Sequence, residues 1–116
     1  MIENLGHVTV ADEVIIEIIR QTALATPGVA RLDIFRPRRV NRLLSDRAAT
    51  GIALQIEEDG IGIDLYVVAE PEAQMLPLGQ ILQREISRAI SEGLGMRVKE
   101  INVHIEDVAD RFAPAA

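Results

Sequence analysis

The sequence predicts an α+β fold: a two-layer sandwich with a mixed sheet of about four to five strands, covered on one face by two long helices. Three observations carry this. Two runs of alternating apolar and polar residues flank Asp59-Gly60, which is the pattern of an antiparallel hairpin. Two longer stretches repeat apolar residues at helical spacing, as amphipathic helices do. A last alternating run follows the second helical stretch, so that helix reads as a crossover joining two parallel strands. The order is β-α-β-(α)-β-β-α-β.

Residues 6–10, Gly-His-Val-Thr-Val, are short and rich in β-branched side chains, and read as an opening strand. Asp12 and Glu13 suit the positive end of a helix dipole. Behind them Val14, Ile15, Ile18, Ile19, Thr22 and Ala23 put one apolar stripe on a helix over 12–25, which Pro27-Gly28 ends. Residues 29–35 alternate imperfectly and read as a second strand, with Pro37 stopping it. Val40, Leu43 and Leu44 lie at helical spacing, so 36–47 is either a short amphipathic surface helix or a loop that orders on binding. Ile52, Leu54 and Ile56 then alternate with Ala53, Gln55 and Glu57. After the turn, Ile61, Ile63, Leu65 and Val67 alternate with Gly62, Asp64, Tyr66 and Val68. The second long helix starts at about residue 76 and runs to 92, with Leu78, Ile81, Leu82, Ile86, Ala89 and Ile90 as its stripe and Gly93 and Gly95 as its exit. The closing strand, 98–106, points Ile101, Val103 and Ile105 one way and Asn102, His104 and Glu106 the other. The whole chain, 1–116, is one domain with its core over about 6–108 and a frayed tail at 109–116.

Composition narrows the chemistry. Of 116 residues, 48% are hydrophobic and 26% charged, as in an ordinary globular domain. With no cysteine there is no disulfide framework, thiol nucleophile or thiolate metal site. The start is acidic and lacks the pattern of a secretory signal. No run approaches the roughly 18 apolar residues of a membrane span. A cytoplasmic protein is expected, with any membrane association peripheral or mediated by a partner.

Charge is unevenly spread. The net charge is −6, which disfavours nucleic acid as a general partner. Yet Arg31, Arg36, Arg38, Arg39, Arg42 and Arg47 place six of the 12 basic residues within 17 positions; against Asp33 and Asp46 that stretch is +4, leaving −10 elsewhere. Arginine forks suit carboxylate and phosphate. Arg36, Arg38, Arg39, Arg42 and Arg47 are therefore the candidate partner-binding residues, facing an acidic protein or a membrane surface. Nucleic acid bound through the same segment is the alternative, and a solvated loop balancing an acidic body is the bland reading.

No catalytic, cofactor-binding or metal-ligating set is expected. His7 and His104 lie far apart in sequence, and His104 would need Asp64 or Glu106 beside it to build a metal or acid–base site. Glu57, Glu58 and Asp59 are too few and too close for a calcium loop. Gly93-Leu94-Gly95 follows a helix, where the dipole has the wrong sign for phosphate. No G-x-S-x-G surrounds Ser45, Ser87 or Ser91. The uncovered sheet face is less charged than a purely solvated one, so Gln55, Tyr66, Val68 and His104 are the candidate self-association face of a homo-oligomer.

Four blocks in order resemble the alkaline-shock-protein family of small bacterial stress and envelope-associated proteins. They are GHVTVADEVI at 6–15; Ala23-Leu24 followed by Pro27-Gly28-Val29; IDLYVVAE at 63–70; and Gly93-Leu94 with VKEINVHIEDV at 98–108. The resemblance implies an intracellular, non-enzymatic protein linked to envelope or alkaline stress and to cell-wall or lipid homeostasis, in some members held at the membrane by a protein anchor. It carries over no catalytic or cofactor residue. The chain departs from the family at Arg36-Pro37-Arg38-Arg39-Val40-Asn41-Arg42, where a glycine- and leucine-containing connection is expected, and a basic segment there selects its own partner.

Overall fold

The computed structural model describes residues 5–34 and 50–112. Two helices, α1 (Asp12–Ala25) and α2 (Met75–Leu94), accompany the strands β1 (Val29–Leu32), β2 (Ile52–Glu57), β3 (Gly60–Ala69) and β4 (Val98–Val108). The four strands form one sheet.

The expected hairpin is present. β2 and β3 pair antiparallel from Ile52 opposite Leu65 to Glu57 opposite Gly60. Lys99 reaches across from β4 and ties the turn, with Nζ 2.8 Å from Glu57 and 3.3 Å from Asp59. β3 and β4 pair parallel, as the crossover through α2 requires. β1 is antiparallel to the far end of β3, with Val29 opposite Ala69 and Leu32 opposite Val67.

β1 and β2 share one edge of β3. Tyr66 accepts from the Asp33 amide at 2.8 Å and donates to the Gly51 carbonyl at 2.8 Å. A residue's N–H and C=O point to the same side of a strand, so both neighbours lie on that side. β4 occupies the other edge, where the Ile61 amide donates to Arg97.

The core follows from this arrangement. Ile61, Ile63, Leu65, Val67 and Ala69 project from one face of β3 into a cluster with Ile15, Ile19 and Ala23 of α1 and Leu78, Leu82, Ile86 and Ile90 of α2. α1 packs over β1 and β2, and α2 over β4. Each helix buries one stripe, and the predicted stripes contain every residue the helices bury fully. Asp12 and Glu13 sit in the first turn of α1 as anticipated. Gly95, with φ of +66°, is the left-handed cap of α2, while Gly93 is still helical.

Three expectations fail. Residues 6–10 do not form a strand: they are exposed up to Thr9, and only Val10 packs partly against the core. Alternation makes a segment able to pair, but in this chain no strand among the described residues takes it as a neighbour. The second strand ends at Leu32 rather than 35, because the ladder passes at Gly51 from β1 to β2. The tail is not frayed from its start: Ala109 donates to Ala69 at 2.9 Å, and Arg111 reaches the Val29 carbonyl at 3.0 Å and Glu70 at 3.4 Å. The expected short helix at 36–47 lies outside the described residues.

Candidate functional site

With both helices packed on one face of β3, its alternate residues Gly62, Asp64, Tyr66 and Val68 belong to the opposite face. The ladders extend that face sideways: Gln55 stands opposite Gly62, Ala53 and Asn102 flank Asp64, His104 is beside Tyr66, and Arg31 and Asp107 flank Val68. The four residues named for self-association, Gln55, Tyr66, Val68 and His104, therefore share one face. They differ in access. Gln55 is exposed, Tyr66 and His104 are half-buried, and Val68 retains only 2% of its surface. Val68 projects from this face but is covered there, so it offers a partner almost no surface.

The parallel register also builds a polar cluster. His104 Nε2 lies 3.0 Å from Asp64 Oδ1. Its ring stacks on Tyr66 with centroids 4.5 Å apart and planes 13° from parallel. His104 is thus held between a carboxylate and an aromatic ring. The sequence offered Asp64 or Glu106 as its partner, and the register selects Asp64. His7 lies in the exposed leading segment. Among the described residues no group of three or more histidines and carboxylates could hold a metal ion.

Arg31 adds a further feature that sequence reasoning counted only as charge. Its Nη1 is buried and has no hydrogen-bond partner among the described residues. A buried, unsatisfied guanidinium nitrogen is costly, and it marks this end of the face as short of an acceptor. Only the β1 register, with its irregularity between Val29 and Arg31, brings the side chain onto the open face.

Burial pushes the Tyr66 phenol up from its ordinary value of 10.0, and the carboxylates of Asp64 and Glu106 add to the rise. The unfolded chain loses this proton first as pH climbs. The phenol's contribution to stability is then complete below pH 10.0 and is lost as pH rises through the higher folded value. Lys99, raised by its hydrogen bonds to Glu57 and Asp59, loses stabilisation with the same sign. The urea midpoint is expected to fall above pH 10.0, and to fall less steeply in Tyr66→Phe. Equal slopes in both proteins would remove Tyr66 from the effect.

Arg36, Arg38, Arg39, Arg42 and Arg47 lie outside the described residues. What is described is where their segment attaches. The chain leaves the sheet after Asp33 and re-enters at Gly51, and both residues hydrogen-bond to Tyr66. A Cβ built on Gly51 would stand 2.9 Å from the Asp33 carbonyl. Both ends of the basic stretch are thus fastened at one point on the sheet edge, beside the stacked pair.

A groove of about 820 Å³ runs between the C-terminal halves of α1 and α2, lined by Thr22, Ala25, Ala89 and the Arg88–Glu92 ion pair. Its two hydroxyls, on Thr22 and Thr26, donate to the backbone carbonyls of Ile18 and Thr22 at 2.7 and 2.9 Å. No described helix is long and apolar enough to cross a membrane.

Comparison with known proteins agrees with the block-by-block resemblance. The model of the alkaline-shock-protein family, described as of cell envelope-related function, matches residues 1–110. The chain is 29% identical over 103 residues to the uncharacterized protein YqhY of Bacillus subtilis (strain 168), covering 88% of this chain and 76% of that one. No solved structure matches the chain.

Proposed function

The chain belongs to the alkaline-shock-protein family, whose function is cell envelope-related, and from that premise we propose that it is a non-enzymatic binding or scaffolding module of the envelope or general stress response, presenting residues 36–47 to an acidic protein or membrane partner. The observation that carries this reading is charge segregation: a stretch of +4 within a chain of net −6. The attachment geometry supports it. A segment fastened at both ends to one point of a rigid sheet loses less entropy on binding than a free tail does. The unsatisfied Arg31 nitrogen lies in the strand that leads into it. The protein acts from the cytoplasm, meets the membrane peripherally or through its partner, and forms a homo-oligomer. No cofactor enters this function.

The test is a tagged pull-down from the native host at low salt, with and without nuclease, beside the combined variant Arg36→Glu, Arg38→Glu, Arg39→Glu and Arg42→Glu. The variant takes the stretch from +4 to −4, and long-range attraction of this kind is screened beyond about 8 Å at physiological salt. A protein or membrane fraction that survives nuclease and is lost in the variant is the expected result. Material that disappears with nuclease would make the segment a nucleic-acid arm. Capture unaltered by the charge reversal would remove the segment from the function.

A further inference from the structure

We propose that the outer edge of β4 takes up residues 7–9 of a second copy of this chain as an added strand. The inference stands apart from the arginine segment and uses a different surface from the open sheet face.

The acceptor is an edge that is unpaired among the described residues, beside a groove whose lining is apolar apart from Gln80 and Gln83. Among the described residues β4 pairs with β3 alone, so its other side presents backbone groups without a ladder. Gln83 of α2 donates to the Ile101 carbonyl at 3.0 Å and covers the upstream part, and the Val108 amide is taken by Asp107 Oδ1 at 2.7 Å, leaving the stretch from Asn102 to Asp107. Along that stretch, a groove of about 420 Å³ lies between β4 and the first turns of α2, lined by Met75, Leu76, Gly79, Val103 and Ile105. Leu76 on its rim is 72% exposed. A Cβ on Gly79 would meet nothing within 4 Å, so the groove is open at that point.

The donor is the stretch that reads as a strand and joins no sheet among the described residues. His7-Val8-Thr9-Val10 alternates polar and apolar residues, yet Val8 is 95% exposed. Its parity fits the acceptor. β4 turns Val103 and Ile105 toward the helix layer and His104 toward the open face, so an added strand that places Val8 over the groove puts His7 and Thr9 beside the polar row. Val10 stays packed on its own core and tethers the donor.

Two observations favour a second copy. The donor is joined to α1, which packs over β1 and β2, whereas the acceptor lies on the far edge under α2; exchange between two copies joins them without unwinding a helix. Glu106 and Asp107 are exposed along the acceptor, which repels anionic strands, and residues 6–10 contain no carboxylate in a chain of net −6. A twofold exchange makes each contact twice, as isologous dimers do.

Sedimentation velocity over a wide concentration range tests this, with circular dichroism confirming that each variant is folded. Val8→Asp alters a side chain exposed in the single copy, and Thr9→Pro removes a ladder donor without touching the core. Gly79→Leu fills the groove on the acceptor and suits a helix better than glycine does. The wild type is expected to form a dimer or a larger assembly, and each variant to weaken association at least tenfold. Mixing Val8→Asp with Gly79→Leu is expected to restore a one-sided dimer, since the first retains a good acceptor and the second a good donor. A wild type that stays monomeric throughout, an assembly indifferent to Val8→Asp, or a mixture that fails to complement overturns the proposal.

Discussion

Leu65→Ala is expected to lower the free energy of unfolding by about 3–4 kcal/mol, within the usual range for a leucine emptied from a packed core. Leu65 is fully buried in the middle of β3, with Ile52 across one ladder and Val103 across the other. Both cross-strand neighbours are therefore held by backbone pairing. Strands fastened on both sides collapse poorly into a void, so the cavity persists and the loss sits well above the transfer term alone. Urea titration followed by circular dichroism checks it: the midpoint falls and the slope is unaltered, since the same surface is exposed on unfolding. The expected loss is a large part of the roughly 5–15 kcal/mol that such domains have. A loss below about 1 kcal/mol would mean that the two helices close onto β3, contrary to this account.

The same residue shows what the sequence made legible. Leu65 belongs to the alternating run after Asp59-Gly60, and local pattern was enough to place it in a hairpin and on the buried face. Both helices were legible for the same reason, since a stripe of apolar side chains is a property of one segment. The opening strand misled because alternation specifies a face and leaves the partner unspecified; Val8 has the pattern of a strand residue and is 95% exposed. The candidate site was legible in its members but not in its contacts. Asp64 and His104 are 40 positions apart and meet at 3.0 Å only through the parallel register of β3 and β4. Tyr66 stacks on His104 for the same reason, and Arg31 reaches that face through an irregularity in β1. Register and bulges are set by the whole sheet, so a reading that moves along one segment at a time does not reach them.

The meeting of β1 and β2 on one edge was the least legible feature of all, and it yields the second large effect. Gly51→Ala is expected to cost about 2–3 kcal/mol, from a residue type that rarely tolerates positive φ and from the contacts its new methyl group meets. Gly51 has φ of +77°, and a Cβ there would stand 2.9 Å from the Asp33 carbonyl, 3.1 Å from Leu32 Cβ and 3.3 Å from the Tyr66 carbonyl. Two of those three atoms are backbone and cannot swing aside, so β1 must separate from β2 for the methyl to fit. That movement strains the two bonds to Tyr66 which hold the junction shut. Hydrogen exchange should therefore quicken at the Asp33 and Tyr66 amides more than at the Ile63 and Leu65 amides, which face β4. The substitution leaves every arginine in place. If the basic stretch works because its two ends are held at one point, Gly51→Ala weakens partner capture in the native host while leaving the net charge at −6. Full capture by a folded Gly51→Ala protein, with fast exchange at both amides, would show that the arginines act as a tethered charge with no need of the sheet edge.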